Sequence, residues 1–111
     1  MDIDFRTRKL EKQCNDAKEA SRTWGAEQAK RLRSRLDDLQ AASTLAVMRT
    51  LPGRAHELTG DREGQISIDL KHPYRLIIVP ANDPVPRKPH GGLDWDNVTA
   101  IRVWEVTDTH D

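Results

Sequence analysis

The 111-residue sequence predicts an α+β fold, in which an N-terminal helical hairpin packs on a twisted antiparallel sheet of four to five strands. Two observations predict it. Apolar residues recur at helical spacing up to position 39, whereas the later part of the chain contains short runs with the two-residue period or the β-branched composition of strands. Leu51-Pro52-Gly53 separates the two regions, because a helix does not continue through such a segment. This segregation of helices and strands along the chain indicates α+β.

The chain begins with an edge strand and a helical hairpin. Residues 2–5 alternate polar and apolar side chains, which is typical of a short edge strand. From Arg6 onward, apolar residues at spacings of four, three and seven share one helical face: Leu10, Cys14, Ala17 and Trp24. After an interruption at Gly25, a second helix has its own apolar stripe: Ala29, Leu32, Leu36 and Leu39. The opposite face of this helix carries charged residues, so we expect it to face solvent: Lys30, Arg31, Arg33, Arg35, Asp37 and Asp38.

Strand signals follow a third, short helix. Ser43 is expected to cap that helix, over residues 44–50. Residues 56–64 read as a short strand and a tight polar turn. The alternation over 66–70 predicts a strand with one buried face, and the apolar run 76–79 predicts a central strand covered on both sides.

A long connection precedes the last strand, which is predicted at 99–106 from its β-branched and aromatic residues. The connection, residues 80–97, is rich in proline and glycine, and its length is typical of a functional or mobile loop. Leu93 and Trp95 are expected to pack it back onto the body, and Trp95 is alternatively an anchor for a partner. We expect a single domain over 1–111 with this insertion.

Composition excludes several classes of function. Lys and Arg number 18, as do Asp and Glu, so the chain is not a strong non-specific polyanion binder. The single Cys14 excludes an intramolecular disulfide and a cysteine-based metal site, and it fits a reducing compartment. His72 and His90 lack metal-ligand spacing. Without a membrane-spanning run or a signal peptide, we expect a cytoplasmic protein that contacts no membrane and needs no metal or cofactor.

Several segments, taken in order, carry a family resemblance. Residues 30–39 form the second helix, Leu51-Pro52-Gly53 precedes the segment 56–64, and Tyr74-Arg75-Leu76 begins the central strand. The chain closes on Asp108-Thr109-His110 and one further residue. In this order and spacing, the sequence resembles the RelE/HigB-like toxins of bacterial type II toxin–antitoxin systems, which have a small RelE-like fold.

The resemblance implies a ribosome-dependent mRNA endoribonuclease that uses the ribose 2′-hydroxyl as its nucleophile and needs no metal. It also implies a cognate HigA-like helix-turn-helix antitoxin, through which operator DNA is bound indirectly. The reaction needs one group to take the 2′-hydroxyl proton and another to protonate the leaving 5′-oxygen. It also needs fixed positive charge at the phosphate. Histidine suits the proton transfers, and arginine suits the phosphate.

Carried over by position, the resemblance implies catalytic roles for four residues. His56 and His110 correspond to the family's active-site histidines, and Asp108 corresponds to its acidic residue. Arg75 corresponds to the arginine at the start of the central strand.

Two positions depart from the family pattern. Thr59 stands where many members have lysine, and Thr109 stands where they have tyrosine. Other cations can supply the missing charge, and the basic face of the second helix either lines ribosomal RNA or only faces solvent. The candidate RNA-binding residues are Arg62, Lys71, Lys30 and Arg31.

Other roles remain open for the same residues. Arg75 is alternatively an ion-pair partner of Asp69 or Glu105, His56 an ordinary sheet-surface residue, and Asp108 a turn cap. A second function also remains open, because RelE-like folds serve as binding modules too. The chain is then a catalytically degenerate toxin or co-repressor that binds a helical antitoxin segment in a groove between helices and sheet.

Overall fold

A mixed sheet of five strands carries the helices on one face. The computed structural model describes residues 1–108. The strands are β1 (Asp2–Phe5), β2 (His56–Glu57), β3 (Ile66–Asp69), β4 (Tyr74–Pro80) and β5 (Ala100–Asp108), and the helices are α1 (Arg8–Asn15), α2 (Ala17–Trp24) and α3 (Ala26–Ala41). The strand order is β1-β5-β4-β3-β2, and the α+β prediction is confirmed. Within residues 1–108, no helix has the length and apolar character that crossing a membrane requires.

The segment predicted as the first helix is two helices, α1 and α2, which meet at Asp16. Asp16 has extended backbone angles (φ −100°, ψ 114°), and its carboxylate accepts hydrogen bonds from the N–H groups of Lys18 at 2.9 Å and Glu19 at 3.3 Å. This cap begins a new helix and shifts the phase of the apolar stripe. Ala17, predicted to be buried, is therefore exposed, and Ala20 is buried instead.

Helix α3 buries its predicted leucines and also an arginine. The leucine stripe is at most 1% exposed: Leu32, Leu36 and Leu39. Arg35, predicted to lie on the solvated face, is only 6% exposed. Its Nε donates a hydrogen bond of 2.9 Å to the carbonyl oxygen of Asp69 at the end of β3. The prediction for Arg35 is wrong because this long-range hydrogen bond satisfies a polar group that helical periodicity assigns to solvent.

The short helix after α3 is a 3₁₀ turn, Leu45–Thr50, and the prediction that Ser43 caps it is wrong. Thr44 occupies the N-terminal cap position, and it makes no side-chain capping hydrogen bond. Leu45 and Met48 are both buried in the core, so packing stabilises this turn.

Strand β1 makes the sheet mixed. It runs parallel to β5, with Asp2 opposite Ala100 and Phe5 opposite Val103, whereas the other pairings are antiparallel. The prediction of an antiparallel sheet is therefore wrong at β1. Parallel neighbours need a long crossover, and here almost the whole chain separates the two strands. The alternation within β1 contains no information about the direction of its neighbour.

Two of the three inner strands, β3 and β4, bury side chains on both faces. The central strand β4 was predicted to be covered on both sides over 76–79; residues 76–78 are fully buried, whereas Val79 is half-buried. Strand β3 was predicted to have one buried face, but Ser67 is as fully buried as Ile66 and Ile68, so that prediction is wrong. Among residues 1–108, the Ser67 hydroxyl has no hydrogen-bond partner. On this face Ser67 lies between His56 of β2 and Ile77 of β4, and alternation within β3 does not reveal these neighbours.

The insertion at 80–97 packs onto the core through Leu93 and Trp95, which are 8% and 2% exposed, as expected. The Trp95 Nε1 donates a hydrogen bond of 3.2 Å to Glu57, and the Arg49 guanidinium lies 3.8 Å from the centroid of its ring. Since Trp95 is buried, the alternative role as an exposed partner anchor is wrong.

Candidate functional site

The sheet face turned away from the helices collects side chains from four strands. Directly opposed residues share a face, and so do residues two apart along one strand. His56 of β2 is opposite Ser67 of β3. Two residues further along β3, Asp69 is opposite Arg75 of β4, which is in turn opposite Thr107 of β5. His56 and Arg75, both predicted as site residues, therefore lie on the same surface.

Two arginines, which we call the arginine pair, converge on the carboxylate of Asp69. Arg54 donates from Nε to Oδ2 at 2.6 Å and from Nη2 to Oδ1 at 3.4 Å. Arg75 approaches with Nη1 at 2.9 Å from Oδ1. The side chain of Arg75 is 15% exposed and that of Arg54 is 69% exposed, so one guanidinium is shielded and the other reaches solvent. The alternative prediction of an ion pair between Arg75 and Asp69 is confirmed.

The main chain of Asp69 is held from two sides. Its N–H donates to the carbonyl of Gly53 at 2.7 Å, and its carbonyl accepts from Nε of Arg35 at 2.9 Å. Gly53 has φ +118°, and a Cβ there would lie 2.7 Å from Cγ2 of Ile68, so this position requires glycine. Burial lowers the pKa of Arg35, and the nearby charge of Arg31 lowers it further.

His56 is anchored beside the arginine pair. Its ring Nδ1 lies 2.7 Å from the carbonyl oxygen of Arg54. A carbonyl oxygen only accepts, so Nδ1 of His56 is the donor in this contact. Arg54 has a left-handed backbone conformation (φ +50°). In this conformation its carbonyl oxygen contacts the imidazole of His56, and its guanidinium contacts the carboxylate of Asp69. One turn residue therefore orients both the imidazole and half of the arginine pair.

The predicted RNA-binding cations lie outside the arginine pair. Arg62 forms an ion pair with Glu105 at 2.7 Å, which joins the turn before β3 to β5 across β4. Lys71 forms an ion pair with Glu27 of α3. Two others are exposed on α3, in the helical layer on the other side of the sheet: Lys30 and Arg31.

The predicted C-terminal triplet is described only at its first residue. Asp108 is the last residue of β5, is exposed, and lies opposite Tyr74. Adjacent residues of a strand point to opposite faces, so Asp108 follows Thr107 along β5 but does not share the face of Arg75. Thr109 and His110 lie outside the described residues.

Metal-type clusters and a reactive thiol are not found in the described part of the chain. No group of three or more His, Cys, Asp and Glu side chains within residues 1–108 is placed to hold a metal ion. Burial raises the pKa of the Cys14 thiol to about 12, against the opposing effect of Arg33. The thiol is therefore protonated near neutral pH, and Cys14 is a core residue.

Sequence reasoning missed Arg54 and gave Asp69 only a structural role. The signals were present, because a Pro-Gly turn directly before Arg54 and His56 indicates a left-handed backbone. Asp69 also follows Ser67 by two residues, which places it on the same strand face. The ion pair joins residues that are 15 positions apart, and that proximity depends on the fold.

Comparisons with known proteins bear on the fold. No protein-family model matches the chain, and no curated protein matches it. Among solved structures, a YoeB/ParE toxin from Agrobacterium tumefaciens is similar, with a TM-score of 0.62 and 11% sequence identity over 99% of this chain and 100% of that chain. With so few identical residues, the likeness is one of fold alone. This chain therefore shares its α+β fold with that toxin over nearly its whole length.

Proposed function

We propose that this protein is the toxin of a type II toxin–antitoxin system and cleaves mRNA on the ribosome. The observation that carries the proposal is the arginine pair, held by Asp69 beside His56 on one sheet face. Two further points support it: the resemblance of the sequence to RelE/HigB-like toxins, and the fold shared with a chain named a YoeB/ParE toxin. We propose a HigA-like helix-turn-helix antitoxin as its partner and the cytoplasm as its place of action, with operator DNA bound only through the antitoxin.

The chemistry divides between charge stabilisation and proton transfer. Arg54 and Arg75 donate hydrogen bonds to the scissile phosphate and stabilise the charge that builds as the 2′-oxygen bonds to phosphorus. Nε2 of His56 takes the proton of the 2′-hydroxyl. The bond from phosphorus to the 5′-oxygen breaks, and that oxygen receives a proton from Asp108 or His110, the groups that the resemblance implies. The products are a 2′,3′-cyclic phosphate and a 5′-hydroxyl.

A reconstituted translation reaction tests this proposal. We expect the purified protein to cut translated message, and we expect Arg75→Ala to lower the cleavage rate by about 10²–10³ because a donor to the phosphate is lost. Arg102→Ala is the matched control, since Arg102 is an arginine of β5 in an ion pair with Asp4 at 2.8 Å, outside the site. Message left intact by the wild type, or cut equally by Arg75→Ala, would contradict the proposal.

A non-enzymatic binding module is the second candidate. It is favoured by the carboxylate of Asp69, which already accepts from both arginines, and by threonine at position 59 in place of a lysine. On this reading the protein acts through an antitoxin or another partner. Growth arrest with intact message, unchanged in a His56→Ala/Arg75→Ala double variant, would favour this candidate over cleavage.

A further inference from the structure

A cleft opens at the sheet edge beyond the end of β1. Strand β1 stops at Phe5, and the N–H of Arg6 bonds to the carbonyl of Val103 at 2.9 Å before the chain enters α1. Past Val103, β5 continues to Asp108 without β1 beside it. A cavity of about 320 Å³ lies there between β5, the start of α1 and the end of α2. This volume falls within the range of small-molecule pockets.

A β-bulge supplies one wall of this cleft. The register of β5 against β4 shifts between Ile77 and Ile78, and Trp104 is the extra residue. Bulge residues leave the regular alternation, and their side chains are re-aimed. Trp104 lines the cleft, while the neighbouring Glu105 remains in its ion pair with Arg62 at 2.7 Å. The carboxylate at the cleft wall therefore has its charge compensated.

Arg6 and Trp104 form a flat cationic surface, which we call the platform. The Arg6 guanidinium lies 4.5 Å from the centroid of the indole ring, which is a cation–π contact. Arg6 is exposed and Trp104 is half-buried, so the ring supports the guanidinium from the protein side. Nucleobases stack on arginine planes and on aromatic rings. The other walls include cationic, polar and aromatic side chains: Lys9, Gln13, Thr23 and Trp24.

We propose that this cleft binds one nucleotide of single-stranded RNA, with the base stacked on the platform and the phosphate at Lys9. The inference rests on the proposed RNA cleavage and extends it to a second contact. Glu105 at the cleft wall is diagonal to Arg75 across the two strands, since Arg75 is opposite Thr107, so their Cα atoms are about 8 Å apart. The other walls come from α1 and α2 in the helical layer, so the cleft lies at the sheet edge and suits a nucleotide outside the cleavage site. Two cations beside a stacking surface favour a nucleotide over a peptide.

The proposed nucleotide site can be tested by measuring the binding of a short single-stranded RNA. The RNA carries 2′-O-methyl riboses, which the proposed chemistry cannot cut. Fluorescence anisotropy of the labelled RNA at low salt gives the Kd. Arg6→Lys keeps the charge and removes the plane, so we expect Arg6→Lys and Arg6→Ala each to weaken binding by about fivefold or more. Arg8→Ala is the matched control, because Arg8 lines a different surface depression and carries the same charge. We expect it to change the Kd by about twofold or less.

Three outcomes would overturn the cleft. The first is that the wild type does not bind the RNA, and the second is that both Arg6 variants bind it as tightly as the wild type. The third is that Arg6→Ala and Arg8→Ala lose equal affinity while Arg6→Lys loses none, which would indicate an effect of overall charge only. The translation assay separates this inference from the proposed function. Arg6-dependent RNA binding without any message cleavage would refute the endonuclease and leave the cleft supported, whereas cleavage with Arg6-independent binding would refute the cleft alone.

Discussion

Asp69 determines the geometry of the candidate site at the scale of single residues. Its carboxylate accepts hydrogen bonds from Arg54 and forms an ion pair with Arg75, while its main chain is tied to Gly53 and Arg35. Because the main chain of Asp69 is held in place, its carboxylate holds the two bound guanidinium groups in place as well. Small displacements of substrate-binding groups lower rates strongly, so in the proposed cleavage Asp69 is a positioning residue for the arginine pair.

Asp69→Asn is expected to lower kcat for message cleavage by about tenfold, because asparagine keeps the backbone contacts but loses the charge that holds both guanidinium groups. KM should change less than kcat, since the arginines themselves remain. Single-turnover cleavage measures the effect, with Arg102→Ala as the control for loss of a surface ion pair. A faster variant would contradict the positioning role and would indicate that the carboxylate competes with phosphate.

Cys14 gives a prediction about pH. Burial raises the pKa of its thiol from an ordinary 9.0 to about 12. Between these two pKa values, the folded state keeps the thiol proton that the unfolded chain releases. The stabilisation from the buried, protonated thiol is therefore complete below about pH 9 and is lost as the pH rises towards about 12. The stability of the wild type relative to Cys14→Ala should fall by about 2 kcal/mol between pH 7 and about pH 10.5. Urea unfolding at the two pH values measures this, and a pH-independent difference would contradict it.

At the scale of elements, the turn before β2 determines how the site is assembled. Gly53 and Arg54 both have positive φ, +118° and +50°, and this pair of residues brings the Arg54 carbonyl to His56 and the Gly53 carbonyl to Asp69. The turn is therefore part of the candidate site and more than a connection between helix and sheet.

Gly53→Ala should destabilise the protein by about 1–3 kcal/mol more than Gly64→Ala. Both glycines have positive φ, +118° and +90°, so both substitutions strain the backbone. Only at Gly53 does the added Cβ meet other atoms, at 2.7 Å from Ile68 and 3.0 Å from Arg35, whereas Gly64 has nothing within 4 Å. Urea denaturation of the two variants gives the difference, and equal losses would show that the turn relaxes away from Ile68.

Helices and strands could be predicted from the sequence where the pattern that indicates them lies within the element itself. The periodicity of α3 and the apolar run of β4 correctly gave a helix and a central strand, because burial at a fixed period needs no knowledge of the partner. The helix break at Asp16 was missed because a side-chain cap overrides an apolar stripe. The direction of β1 was missed because it depends on β5, at the far end of the chain.

For the whole molecule, the sequence predicted the α+β arrangement and placed His56 and Arg75 on the sheet. Those two residues came from the family resemblance, and the register then brought them to one face. Arg54 could not be predicted as their companion because its contact with Asp69 needs both the turn and the strand pairing. The fold was therefore more predictable than the electrostatics of the site, which arise from side chains that meet only after folding.

In the proposed function, the arginine pair and His56 cleave message through the ribose 2′-hydroxyl. A reconstituted translation reaction with two messages tests it most directly, one unmodified and one with 2′-O-methyl riboses throughout the codon being translated. We predict that the wild type cuts the unmodified message within that codon and leaves the methylated message intact, while Arg75→Ala cuts neither at a comparable rate. Cleavage of the methylated message at the same position, or no cleavage of the unmodified one, would contradict the account.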